Sequence, residues 1–313
     1  MPDPRPAVHP EELSPLKNAL QAILLLPLRL AAAYAGLLAR RWRGFGIAWG
    51  DRTYAQNRDL RADVVHPGPN GDVHMTFFVP NEVCRYRAET FSTKEPETLE
   101  WLDAYSGTGA LYDIGANVGI YSIYFAKSHP GTVYAFEPSV LNLGLLGRNV
   151  SVNGVSSQVV IVPNPLTSSN QVADFHLSML DEGGAMSTFG ADFGHDGQPL
   201  DTRMEFRTAG MSLDFMLAEG LLPEPPALMK IDVDGIEHLI LRGAGQTLRQ
   251  PSLRSVLIEV DDAFTELASE VAVALEAAGF TLSERRRSEI FDGGQFATSY
   301  NQIWVRGTAH DGR

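Results

Sequence analysis

The chain has 313 residues and a formal net charge of −13, a balance that argues against DNA or RNA as partner, since those need a basic stripe. Its composition, 44% hydrophobic and 20% charged, is that of a globular protein, and the length suits one large α/β domain with extensions. The single cysteine, Cys84, excludes an internal disulfide and matches no metal-ligand spacing.

Residues 1–14 are rich in proline and charge and are expected to be disordered. From Leu16 to Ala39, Leu20, Ile23, Leu24, Leu28, Ala31, Tyr34 and Leu38 fall at helical spacing, with Pro27 expected to kink or interrupt the helix. A spanning helix is disfavoured by Arg29 near its middle, which costs about 2.5–3.5 kcal/mol on insertion scales. A signal peptide is disfavoured by Asp3, Glu11 and Glu12 ahead of it. Two readings stay open. One is an interfacial helix on the inner face of a membrane, with Arg40, Arg41 and Arg43 near anionic headgroups, on an otherwise cytoplasmic protein. The other is a helix packed on the domain or on a second subunit, which would make a homo-oligomer. Residues 16–43 are thus the candidate peripheral contact, and residues 1–45 a helical extension.

Residues 46–105 form a lead-in. Residues 44–71 read as loop with short strands, and Val73–Val79 alternates like a strand that Pro80-Asn81 ends. Phe91 to Asp103 leads into a helix: Pro96 suits its first position, and Glu95 and Glu97 suit its positive end.

Leu111 to Ser122 organises the remainder, residues 106–308. Apolar residues run up to Asp113, glycines follow at 115 and 119, and Ile120, Ile123 and Tyr124 begin a helical face. Strand, glycine turn and helix N-terminus make a cofactor cradle. A dinucleotide fingerprint needs a second glycine where Asn117 stands, which argues against a pyrophosphate and against a nicotinamide oxidoreductase. The next strand, Thr132 to Phe136, ends in Glu137-Pro138, and an acid there can accept both ribose hydroxyls of an adenosine. Asp113 beside a sulfonium would favour its positive charge. Together these features point to S-adenosylmethionine.

A helix is expected from Ser139 to Asn153, and Gln158–Val162 reads as a strand buried on both faces. Val172–Ser178 and Met204–Thr208 alternate like an antiparallel ribbon within an insertion at residues 170–210. The glycine-rich loop between them is expected on the acceptor side as a lid. Ser212–Glu219 reads as a helix, Ala227–Ile231 as a strand ending at Asp232, and Gly235–Leu248 as a helix. Ser255–Val260 is the next strand, Asp262–Ala278 an amphipathic helix, and Phe280–Ser283 and Gln302–Arg306 the last strands.

Several runs resemble the FkbM family of methyltransferases: D-I-G-A-N-V-G-I-Y-S, A-F-E-P-S, M-K-I-D-V-D-G-I-E-H-L-I-L-R-G-A and L-I-E-V, with K-E-P-E-T-L-E-W-L-D ahead of them. The resemblance covers about Val73 to Arg306. It implies a Rossmann-like methyltransferase fold: a mostly parallel seven-stranded sheet with helices on both faces, here behind an N-terminal helical extension. It also implies S-adenosylmethionine as cofactor and O-methylation of a sugar, glycan or polyketide hydroxyl. The cofactor candidates are Asp113, Gly115, Asn117, Gly119, Glu137 and Pro138. The family carries an Asn-x-Ala-Leu-Ser-like run after the strand that Gln158–Val162 forms here; Asn164-Pro165-Leu166-Thr167 stands there, and the resemblance implies Asn164 as the corresponding adenine contact. The segment holding Glu95 lies, in the family, beside the methionine end of the cofactor.

Methyl transfer to oxygen needs two oriented reactants and a proton acceptor. Asp232, on a strand tip, is the first candidate for the acceptor hydroxyl, Glu237 the second, and Lys230 an orienting or charge-balancing group. The competing structural role is a helix cap, with Asp234 as N-cap and Glu237 three positions on. Glu259, Asp261 and Asp262 gather near the next strand end, but no metal is expected. The alternative from another class is a non-catalytic scaffold that keeps the cofactor fold.

Overall fold

A computed structural model describes residues 26–27, 29–34, 37, 52, 55–288, 290 and 296–307. Two compact units divide it, Met1–Arg58 and Asp59–Arg313. In the first, residues 26–27, 29–34 and 37 are helical, Pro27 included. Leu26, Leu30, Tyr34 and Leu37 are exposed on that helix. The arginines at 40, 41 and 43, residues 1–14 and much of 16–39 lie outside the described residues. Among the described residues, no helix is long and apolar enough to cross a membrane.

The second unit is built on a seven-stranded sheet. In spatial order its strands are β11 (Phe280–Arg286), β12 (Ser299–Arg306), β10 (Ser255–Asp261), β9 (Pro226–Ile231), β3 (Ala110–Ile114), β4 (Val133–Phe136) and β5 (Val159–Val162). The five strands from β10 to β5 are parallel, and β12 runs antiparallel between β10 and β11. The chain leaves β3 for β4 and β5 on one side and returns to β9 on the other. The order therefore reverses between β3 and β9, the place where open α/β sheets bind ligands.

Period-two alternation divides the sheet into two cores. On one face Leu111, Val133, Ala135, Leu228, Leu257 and Ile303 meet helix α4 (Ile120–Ser128) and helix α5 (Val140–Val152). The same core takes in a hairpin of β1 (Arg61–Gly68) and β2 (Gly71–Phe78), and the short helices α1 (Glu82–Glu89), α2 (Phe91–Lys94) and α3 (Pro96–Asp103). On the other face Tyr112, Ile114, Phe136, Met229, Ile231 and Ile258 meet helices α6 (Leu213–Ala218), α7 (Glu237–Arg242) and α8 (Thr265–Ala277). Leu111, Leu228 and Leu257 are fully buried, and such a leucine contributes about 1.5–3 kcal/mol. One step further along each strand, the first face turns polar. Asp113 pairs in register with Lys230, and Glu259 with Asn301.

Residues 171–210 form a separate three-stranded antiparallel sheet. Its order is β7 (Ser187–Phe189), β6 (Gln171–Leu177) and β8 (Met204–Gly210).

Four local expectations are corrected. β5 is an edge strand with Val160 exposed, not a strand buried on both faces, because no strand follows it outward. The helix expected over 235–248 is only the six residues of α7, closed by Gly243, with a short 3-10 turn at Thr247–Arg249. Helix α8 starts at Thr265 rather than Asp262, and Asp262 pairs with Arg285. The stretch before residue 71, read mainly as loop, holds the whole of β1.

Candidate functional site

The glycine turn and the end of β9 are pressed together at the switch point. The Asp232 N–H donates to the Ile114 carbonyl at 3.0 Å. Gly115 has φ +88°, and a Cβ there would stand 1.9 Å from the Asp232 carbonyl oxygen. Only glycine fits, both in conformation and in space. Gly119 has φ +85° at the start of α4, where a Cβ would meet Leu146 at 2.4 Å. Its role is the close packing of α4 on α5. Asn117 between them is left-handed, with φ 52°, a conformation asparagine tolerates better than most residues.

Glu137 lies beside that turn. Its Oε2 accepts from the Asn117 N–H and its Oε1 from the Ser139 N–H, both at 2.8 Å. The side chain is buried. Burial pushes its carboxyl up to about 7, against the pull of the Ser139 and Asn117 N–H groups and the Asn142 amide.

A cavity of about 250 Å³ opens here. One end holds Asn117, Glu137, Pro138 and Asn164, walled by Phe136, Leu166, Phe175, Phe189 and Ile236. Thr188 also lines it, and its buried hydroxyl has no hydrogen-bond partner among the described residues. The Asn164 amide donates to the Ala209 carbonyl at 3.1 Å. The other end holds Lys94, Glu95, Glu97, Asp232, Glu259 and Asn301.

At that second end the charges are arranged in pairs. Lys230, 2% exposed, donates to Asp232 Oδ2 at 2.7 Å. Burial would raise the Asp232 carboxyl, but Lys230, a hydrogen bond with Glu259 and Lys94 hold it well below the usual range. Burial would lower the Lys230 ammonium; Asp232, Asp113 and Glu95 raise it instead. Glu95 is ion-paired with Lys94 and accepts from the Tyr121 hydroxyl at 3.0 Å. Burial opposes its charge, but Lys94 and Lys230 keep the carboxyl below its ordinary value. Glu97 accepts from the Asn301 amide at 2.8 Å. Glu95 makes no side-chain capping bond to α3; it faces the cavity instead.

Not every candidate reaches the cavity. Asp113 is buried, takes the Ser122 hydroxyl at 2.5 Å, and does not line the cavity. Burial raises its carboxyl in spite of Lys230. Its other oxygen, Oδ1, is buried without a hydrogen-bond partner among the described residues. Glu237 does not line the cavity either: its Oε1 accepts from the N–H groups of Val233 at 3.1 Å and Gly235 at 3.2 Å. Burial pushes it up to about 7. The expected capping box is thus half present. Glu237 reaches back, but the N-cap position is Ile236, and Asp234 Oδ2 instead accepts from the N–H groups of Met186 at 2.7 Å and Ser187 at 3.1 Å. Of the other strand-end acids, Asp261 accepts from the Ala263 N–H at 2.8 Å and Asp262 turns to Arg285. Only Glu259 joins Asp232.

The glycine-rich loop, expected on the acceptor side, lies against Asn117 and Asn142 beside the glycine turn. Gly184 accepts through its carbonyl from Asn117 at 2.8 Å and from Asn142 at 3.2 Å, and its neighbour Gly183 donates to Asn142 at 2.8 Å. Arg87 donates to the Gly183 carbonyl, and Asn81 to that of Glu182. Asn142 was not foreseen, though its signal was present: a polar residue on the buried stripe Asn142, Leu145, Leu146, Asn149.

Sheet order, switch-point turn and strand-tip acid together define a Rossmann-like methyltransferase. Residues 113–282 match the methyltransferase FkbM domain, and the chain belongs to the FkbM methyltransferase family. It is 27% identical over 218 residues to the 31-O-demethyl-FK506 methyltransferase FkbM of Streptomyces tacrolimicus, covering 64% of this chain and 81% of that one. It is 24% identical over 200 residues to the methyltransferase sdnD of Sordaria araneosa, covering 56% and 75%. The crystal structure of methyltransferase FkbM from Methylobacillus flagellatus superposes with a TM-score of 0.44 at 12% identity, over 71% of this chain and 52% of that one.

Proposed function

We propose that the chain is an S-adenosylmethionine-dependent O-methyltransferase acting on a hydroxyl of a sugar-containing or polyketide-type small molecule. The observation that carries the reading is a single cavity joining Glu137 and the glycine turn at one end to Asp232, which pairs with Lys230, at the other. The residues present fit that cofactor. Glu137 is placed for a ribose diol, the slot between Phe136, Leu166 and Phe189 for a flat base, and the Thr188 hydroxyl for a polar edge of that base. The ionised Asp232 and Glu95 favour a cation at the far end. When bound, the cofactor supplies a methyl group on a positively charged sulfur.

The remaining work falls to the chain. Lys230 holds Asp232 ionised, so Asp232 accepts a hydrogen bond from the acceptor hydroxyl and orients its oxygen. The loop over Gly183 and Gly184 shields the cavity from water. A hydroxyl acceptor is supported by the relative from Streptomyces tacrolimicus, whose name gives its substrate as an O-demethyl compound.

The test is calorimetric titration with S-adenosylhomocysteine, followed by transfer of labelled methyl to a panel of hydroxylated glycans and polyketides. Binding that weakens in Glu137→Ala, with label recovered on an ether oxygen, supports the enzyme. A folded protein that binds nothing would overturn the reading and leave the scaffold alternative standing.

A further inference from the structure

Six carboxylates line the cavity: Glu95, Glu97, Glu137, Asp232, Asp234 and Glu259. Five of them are met by a cation or an N–H donor. Lys94 and the Tyr121 hydroxyl meet Glu95, the Asn301 amide meets Glu97, and the Asn117 and Ser139 N–H groups meet Glu137. Lys230 meets Asp232, and the Met186 and Ser187 N–H groups meet Asp234. Glu259 is different. Among the described residues no cation or N–H donor bonds its carboxylate, which lines the cavity beside that of Asp232.

We propose that Glu259 is the general base of the reaction, taking the proton from the acceptor hydroxyl while Asp232, fixed by Lys230, only orients that hydroxyl. The proposal rests on the methyltransferase reading above. The acceptor oxygen forms its bond to the methyl carbon, and the carbon–sulfur bond of the sulfonium donor breaks with its electron pair passing to sulfur. The hydroxyl proton goes to a Glu259 carboxylate oxygen.

The choice between the two acids follows from their surroundings. The groups that face Glu259 are Asp232 on β9, Lys94 and Glu95 where α2 meets α3, and Lys230 through Asp232. Lys230 pairs with Asp232 and Lys94 with Glu95. Burial, then the like charge of Asp232, raises the Glu259 carboxyl well above the ordinary glutamate value. A proton acceptor works best when its own basicity lies near the working pH. Asp232, held strongly acidic, is too weak a base for the task. The resting cavity keeps the proton on Glu259, and activity rises with pH as that proton leaves.

The experiment uses the full chain labelled with carbon-13 at the glutamate side-chain carboxyls and saturated with S-adenosylhomocysteine. The Glu259 signal is assigned by its loss in Glu259→Gln and followed against pH. The expected result is a titration well above the ordinary glutamate range, moved down in Asp232→Asn. With whichever hydroxylated acceptor turns over, Glu259→Gln should lose about 10²–10⁴-fold in kcat and lose the rise with pH. Its affinity for S-adenosylhomocysteine should stay within about twofold, which keeps the cofactor reading separate from this one. A Glu259 signal titrating in the ordinary range overturns the assignment, as does a Gln variant that keeps the pH rise and most of its rate. Asp232 would then be the base.

Discussion

Glu137→Gln isolates charge from shape at the cofactor end. The wild-type carboxylate accepts two backbone N–H groups at 2.8 Å, and each oxygen retains a lone pair for a ribose hydroxyl. A glutamine keeps one carbonyl oxygen but turns an amide N–H toward a backbone N–H, leaving a buried donor unpaired at a cost of about 1–3 kcal/mol to folding. For binding, the loss is the charge-assisted bond to the ligand, about 1.5–3 kcal/mol, or about 10- to 100-fold in Kd. The pH dependence sharpens the test. Burial places the free carboxyl at about 7, whereas ligand hydroxyls donate to the ionised form. Wild-type affinity for S-adenosylhomocysteine should therefore fall with decreasing pH below about 7, approaching tenfold per unit, and the Gln variant should be flat. Calorimetry on both proteins across that range, with circular dichroism to confirm folding, decides it. A Gln variant that binds within twofold of wild type and keeps the same pH slope would refute Glu137 as the ribose acceptor.

Gly115→Ala forces a Cβ to 1.9 Å from a backbone carbonyl at positive φ, and should cost at least about 2–4 kcal/mol in urea unfolding. Lys230→Met leaves the half-buried Asp232 without its cation and should destabilise by about 1–3 kcal/mol; the same melts, read against Lys230→Met/Asp232→Asn, should show most of that loss recovered. Asn142→Ala removes the bonds to Gly183 and Gly184 and should speed hydrogen exchange at residues 182–184 by more than about tenfold, with little change in the sheet. Glu137 and Glu237 are both raised to about 7 in the fold. The folded state holds protons that the unfolded chain releases above about 4.5, so ligand-free stability should fall as pH rises from there to about 7. Thermal melts across that interval check the sign.

What the sequence revealed and what it hid follows from distance along the chain. The turn at Gly115 and Gly119 and the acid at Glu137 belong to one strand–helix–strand unit, so local pattern exposes them. Asp232 was reachable because it ends an apolar strand. The Glu97–Asn301 bond spans 204 positions and the Asn142–Gly184 bond 42; nothing in either segment names its partner. Asp113 sits at a strand end, and whether such a side chain meets a cavity or a helix depends on the helix laid over it, here Ser122 of α4. Asp234 and Glu237 imitated a cap because the spacing of a capping box is the same whether the acid meets its own helix or a distant loop. The Val-Val-Ile-Val run of β5 is equally suited to a central or an edge strand, and only the order of the others decides.

The contact between Gly115 and the Asp232 carbonyl has a consequence for how such an enzyme changes its taste. Under the proposed function, the turn assigned to the methyl donor and the strand end assigned to the acceptor are joined through this contact, so remodelling one should disturb the other. The insertion at 170–210 and the wall formed by Arg287, Phe296 and Ser299 lie outside the sheet ladder of β3 and β9. A redesign that seeks new acceptors should graft those walls and leave the switch point untouched, much as a tool keeps its shank while the bit is exchanged.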